Sequence, residues 1–234
     1  MKTLAVYILA ATMIASLPLS AWATLIIQQS GQNDAYLVSS VDLLQTSVSS
    51  TNNSLTLNVG ENAGAGGNTS VVLNNGVFGL GSSVPINVFT GKQESLVIES
   101  GTITYTLDTS LNTLGYTITS IQTFAGWSDF NRGSQAYTVS VSQVGSAIFT
   151  DLAAVLLAAD GFTQERFTIT EDATGILATG VDEIRFTFPT QQFSGVGYKE
   201  LDVFGYAVVP EPSTLILFGL GMATLSLRRK RLGA

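Results

Sequence analysis

The chain has 234 residues, with 10 Lys and Arg against 17 Asp and Glu and a formal net charge of −7 at pH 7. It contains neither cysteine nor histidine. That excludes disulfide staples, Ser-His-Asp and Cys-His catalysis, and imidazole-based zinc sites, while the acidic balance argues against nucleic acid and anionic lipid as partners.

The N-terminus reads as a secretory signal helix. One cation in Met1-Lys2-Thr3 precedes the apolar run Leu4–Leu17, then Pro18, then the small-residue pattern Ala21-Trp22-Ala23. This order predicts a signal peptide over 1–23, cut after Ala23. An uncleaved anchor helix is the competing reading, weakened by the helix breaker and small residues after the run. The body, 24–208, has the length of one domain. Lys2 and the four tail cations leave five basic residues in Thr24–Val209. Removing Glu211 leaves sixteen acidic ones, so this region carries about −11. Such a surface favours solubility outside the cell and attracts divalent cations.

Along the body, short segments alternate β-branched or aromatic residues with polar ones: Thr102–Leu107, Tyr116–Ile121, Tyr137–Val141, Phe167–Thr170 and Ile184–Phe188. Period-two patterning of this kind marks strands with one buried and one wet face. Tyr105, Phe167, Phe186 and Phe188 fall on it and read as core. Turn residues collect between the segments, at Gly60–Asn68, Asn74-Asn75-Gly76, Gly79–Ser83, Asp129–Ser134 and Asp172–Gly175. The fold expected is all-β, an antiparallel β-sandwich of jelly-roll type. Asp151–Ala159 is ambiguous. Leu152, Val155, Leu156 and Ala159 share a helical face, yet the segment also suits a buried strand followed by a turn.

Several pieces occur in a recognisable order. Leu73-Asn74-Asn75-Gly76-Val77-Phe78 and Ile103–Leu107 come first, then Gly126-Trp127-Ser128-Asp129, Asn131-Arg132 and Ser134–Ser142, and finally Ile184–Phe188 and Gly197–Gly205. This succession resembles the galactose-binding-like jelly roll of the discoidin and coagulation-factor type C superfamily, which includes bacterial carbohydrate-binding modules. The resemblance implies a structural calcium between an Asn/Asp-Gly loop and a glutamate on the closing strand. The matching positions are Asn75 and Glu200. Calcium takes several oxygen ligands of mixed type, and Asn in place of Asp lowers the ligand charge. The alternative is a plain turn at Asn75-Gly76 and a solvent-facing Glu200.

A sugar site would sit on loops at one end of the sandwich. Trp127, Asp129, Asn131 and Arg132 lie together in a turn-rich segment and supply a flat aromatic face with hydrogen-bonding groups. Against this, Trp127 alone suits a core plug and Arg132 a surface ion pair with Asp129. No acidic residue sits in a catalytic motif, and GENAGAGGN lacks the Gly-Lys-Ser/Thr of a phosphate loop. The body therefore reads as non-catalytic. A carboxylate-pair glycosidase survives in principle, since it needs only two Asp or Glu residues facing a scissile bond.

The tail, 209–234, is the most informative stretch. Pro210-Glu211-Pro212 precedes a predicted transmembrane helix at 213–227, and Arg228, Arg229, Lys230 and Arg231 follow. The basic cluster stays on the cytoplasmic side and leaves the body outside. The two prolines hold an extended, accessible segment before the membrane. This arrangement resembles the PEP-CTERM sorting signal of Gram-negative bacteria that secrete exopolysaccharide. The resemblance implies export across the inner membrane, a membrane contact through the tail before processing, cleavage by an exosortase-type protease, and a surface or extracellular destination. Two functions from different classes fit such a tail: a module that binds extracellular polysaccharide, and a structural or adhesive protein with no dedicated ligand.

Overall fold

The computed structural model describes residues 24–57, 69–78, 96–126, 132–190 and 196–209. Ten strands carry the fold: β1 (Leu25–Gln32), β2 (Val48–Asn53), β3 (Thr56–Leu57), β4 (Leu96–Leu107), β5 (Tyr116–Gly126), β6 (Gln135–Gln143), β7 (Thr150–Leu157), β8 (Gln164–Glu171), β9 (Ala178–Phe188) and β10 (Val196–Ala207). A single helical turn, α1 (Leu43–Thr46), and a 3₁₀ helix (Thr69–Asn74) complete the described elements.

The main path of pairing runs β1-β8-β5-β10-β4-β9-β6-β7, with β2 and β3 both on β4. All of these pairings are antiparallel. β5 also reaches β9, at Tyr116↔Val181 and Ile118↔Ala178. The sheet thus folds back on itself and makes the two layers of an all-β sandwich, as the alternating segments predict.

One strand belongs to both layers. Leu96–Ile98 of β4 pairs with β10, whereas Gly101–Thr106 pairs with β9. The corner is at Gly101, whose φ is +117°. A Cβ there would stand 2.4 Å from the Ser54 carbonyl oxygen and 2.8 Å from Leu55 Cα. Only glycine fits both the backbone angle and the space.

Between the layers, Ile103, Tyr105, Ile121, Phe167, Ile169, Ile184 and Phe186 are fully buried. In β4 the alternate residues Thr102, Thr104 and Thr106 lie on the outer face. Aromatic rings join the layers: Tyr137 of β6 meets Tyr198 of β10 at 6.4 Å between centroids, and Phe188 of β9 meets Tyr198 at 4.8 Å. Two of the buried polar groups in this region are paired, whereas the Tyr105 hydroxyl has no hydrogen-bond partner among the described residues. Thr123 Oγ1 donates to Gln135 Oε1 at 2.6 Å, and Tyr198 OH donates to the Ala136 carbonyl at 3.1 Å.

The ambiguous stretch Asp151–Ala159 resolves as strand β7. Its residues favour a helix intrinsically, but cross-strand pairing along β6 decides the outcome.

Candidate functional site

The closing strand β10 carries Tyr198-Lys199-Glu200-Leu201-Asp202-Val203, all buried. A bulge between Tyr198 and Glu200 resets the alternation. Tyr198, Leu201 and Val203 join the apolar core. Glu200 and Asp202, two apart on the strand, meet the 3₁₀ helix–turn and the Ser39 segment on the opposite face.

Glu200 is therefore not a solvent-facing residue. Its Oε1 accepts from the Gly76 backbone N–H at 3.1 Å and from Gln45 Nε2 at 3.2 Å. Its Oε2 is buried with no hydrogen-bond partner among the described residues. Asp202 Oδ2 accepts from the Ser39 N–H at 2.9 Å, and its Oδ1 is left over in the same way. Asp42, the N-cap of α1, accepts from Leu44 N–H at 2.8 Å and Val203 N–H at 3.3 Å through Oδ1, leaving Oδ2 without a partner among the described residues. Burial, reinforced by the Asp202 and Asp42 charges, pushes the Glu200 carboxyl up to about 9. Burial and then the Asp42 charge push Asp202 up to about 7. Asp42 is raised by burial as well.

The Asn74-Asn75-Gly76 turn is held against this cluster. Asn74 Nδ2 donates to the Leu44 carbonyl at 3.0 Å. Asn75 Oδ1 accepts from Val77 N–H at 2.9 Å, closing a local turn, and Gly76 takes a φ of +72°. The two positions singled out for calcium thus lie side by side through Gly76. The donor set is oxygen-rich and buried, and three carboxylate oxygens lack partners, which suits a hard cation. Among the described residues no group of three acidic side chains is placed to hold an ion by itself. A cation at Glu200 would take that one carboxylate together with amide and carbonyl oxygens. Asp42, Asp202 and Gln45 were not singled out from the sequence. The available signal was the Glu-x-Asp spacing on a strand, which ordinarily marks a wet face.

The second candidate lies at the end of β5 and β6. Trp127, Asp129 and Asn131 fall outside the described residues. Arg132 is half-buried, and its carbonyl accepts from Gly197 N–H at 3.2 Å. Both ends of this connection rest on the start of β8. A Cβ on Gly126 would stand 2.3 Å from the Thr163 carbonyl oxygen, and one on Gly133 would stand 2.5 Å from Glu165 Cγ. Glu165 is fully buried. It accepts from Asp160 N–H at 3.1 Å and from Gln29 Nε2 at 3.3 Å. Burial, followed by the hydrogen-bonded Asp160 carboxyl, pushes Glu165 up to about 7.

This shift predicts a pH dependence. The folded chain keeps a proton on Glu165 that the unfolded chain releases near its ordinary value of 4.5. The contribution is complete below that value and is lost as pH rises to about 7. Asp160 is exposed, so water screens the pair, and the loss is about 1–2 kcal/mol. Glu165→Gln should abolish it. Urea midpoints at pH 5 and pH 8 for both proteins measure the difference, and an equal change in the two would refute the assignment.

Comparison with known proteins places two labels on this geometry. Residues 208–231 match the PEP-CTERM protein-sorting motif. The motif starts directly after β10 and marks the chain for export, surface sorting in bacteria and processing by an exosortase. Residues 210–234, including Pro210, Glu211, Pro212 and the basic cluster, lie outside the described residues, as do 1–23 with Ala21 and Ala23. Among the described residues no helix is long and apolar enough to cross a membrane.

The structural neighbours are F5/8 type C and carbohydrate-binding domains. The F5/8 type C domain of a Bacteroides fragilis protein aligns at 9% identity and a TM-score of 0.39, over 68% of this chain and 94% of that one. A chitosan-binding module of a chitosanase/glucanase from Paenibacillus sp. IK-5 aligns at 13% identity and a TM-score of 0.39, over 70% and 99%. A Clostridium perfringens ZmpB structure with two CBM32 domains and an M60 catalytic domain aligns at 10% identity and a TM-score of 0.41, over 69% of this chain and 14% of that one. At these values the likeness carries no argument about ligand or residue roles. No curated protein matches the chain.

Proposed function

We propose that the chain is an exported surface protein of a Gram-negative bacterium whose sandwich, 24–208, binds extracellular polysaccharide without catalysis. The sorting motif at 208–231 carries the reading of destination. In this reading a signal peptide over 1–23 is removed, the tail inserts over 213–227, and an exosortase cuts near Pro210-Glu211-Pro212. The sugar lies over the β5–β6 connection, stacked on Trp127 and hydrogen-bonded by Asp129, Asn131 and Arg132.

A structural calcium fits the middle of the closing strand. Glu200 and the oxygens of the Asn75-Gly76 turn would hold it, and Asp42 and Asp202 would surround it with negative charge. When bound, the ion supplies charge compensation for buried carboxylates.

Two measurements test the function separately. Intact mass of protein recovered from the outside of the host should lack 1–23 and the residues after the Pro-Glu-Pro triplet. Replacing the triplet should leave 213–234 attached, and unchanged processing would end the sorting reading. A glycan array should show binding that Trp127→Ala abolishes at an unchanged melting temperature. No binding by the wild type would leave the structural or adhesive alternative.

A further inference from the structure

The edge strand β7 carries a short self-complementary sequence, and we infer that it pairs with β7 of a second copy of this chain to extend the sheet across a two-fold axis. Among the described residues β7 pairs only with β6, so its other edge presents unpaired backbone groups. Natural edges are blunted by lysine, proline or inward charge. This one has a bulge at Leu152, between the pairs Val139↔Ala153 and Ser140↔Asp151, and then runs straight and uncharged through Ala153-Ala154-Val155-Leu156-Leu157.

That run is small on one side of Val155 and large on the other. In an antiparallel pair centred on Val155, Ala154 faces the partner's Leu156 and Ala153 faces the partner's Leu157. The sum of paired positions is even, so the core faces of both copies stay on the same side. Each small residue thus meets a large one, twice over.

The surface beside the edge fits this arrangement. Leu156 is a large apolar side chain that is 64% exposed. Next to it is a groove of about 260 Å³ lined by Ala136, Thr138, Ala154, Leu156, Thr187 and Pro189. The cross-strand row Thr187–Thr138–Ala154 ends at the open edge, and the partner's Leu156 would continue it and cover the groove. Charge opposes contact elsewhere and is weakest at this edge. The molecule is acidic, with a net charge of −7, and two copies repel over most of their surfaces. On β7 the lone charge is Asp151, at the far end of the strand, and its Oδ1 is engaged by Ser140 Oγ at 2.7 Å within its own molecule.

Sedimentation of the full chain in detergent, from about 1 to about 100 µM, tests the pairing. A dimer is expected to form within that range. Ala154→Lys and Leu156→Glu, both at exposed positions, should each raise the dissociation constant at least about tenfold, since each places a charge opposite an apolar partner. An equal mixture of the two variants should dimerise again, because the lysine introduced in one copy then faces the glutamate introduced in the other. A wild type that stays monomeric at about 100 µM overturns the proposal on its own. So does a dimer that both variants leave intact, or a mixture that stays monomeric.

Discussion

Millimolar calcium is expected to raise the melting temperature of the full chain by about 5–10 °C, and a chelator to reverse the rise. A ligand at about a hundred times its dissociation constant stabilises by about 2.7 kcal/mol, and each kcal/mol moves a domain of this length by about 2–4 °C. Glu200 is the residue on which the effect turns. It accepts from Gly76 N–H through one oxygen and keeps the other buried and unpartnered among the described residues. Glu200→Gln retains an acceptor for Gly76 but not the charge that a cation needs. The variant should lose the calcium increment while its metal-free melting temperature stays equal or rises, because a buried carboxylate beside two others is costly to ionise. A melting temperature indifferent to calcium in the wild type would instead mean that protons alone balance these carboxylates.

Gly101→Val should destabilise the fold by about 3–5 kcal/mol, read as a drop in the urea midpoint at unchanged slope. Two costs combine. Valine is strained at a φ of +117°, and its Cβ would overlap the Ser54 carbonyl and Leu55. Relief requires β3 and the Ser54 turn to move away from β4, which also loosens the β2–β4 pairing. A loss below about 1 kcal/mol would show that the corner is not fixed at this residue.

How much of this was written in the sequence depends on the strand. β4, β5, β6, β8 and β9 alternate apolar with polar residues along the sequence, although β5 and β6 are covered on both faces in the fold. Those five were legible. β10 was recognised by its order in the chain, not by its pattern, since both of its faces are covered and Lys199, Glu200 and Asp202 interrupt any apolar rhythm. Charges on a strand ordinarily mark the wet face, so the Asp42–Glu200–Asp202 cluster stayed hidden. It exists because α1 and the 3₁₀ helix pack over β10, which no local pattern records. The four-residue α1 is too short to show a helical period. β7 was ambiguous because Ala-Ala-Val-Leu-Leu suits either a buried helix face or a strand. Pairings between distant segments, such as β1 with β8, carry no local signal at all.

The place of β10 in the sheet sets the timing of export. This strand lies between β5 and β4, bonded to both, and is the last strand among the described residues. The strand that closes the middle of the sandwich is therefore the last to emerge when the chain is threaded N-terminus first. Until Val196–Ala207 has crossed the membrane, the two flanking groups of strands have no seam, and the exposed edges of β5 and β4 must be kept from other chains. The sorting motif begins at residue 208, directly beyond that strand. In the proposed reading of the tail, closure of the sandwich and arrival of 213–227 in the bilayer would be nearly simultaneous, and a protease cutting near Pro210-Glu211-Pro212 would act on a chain that has finished folding.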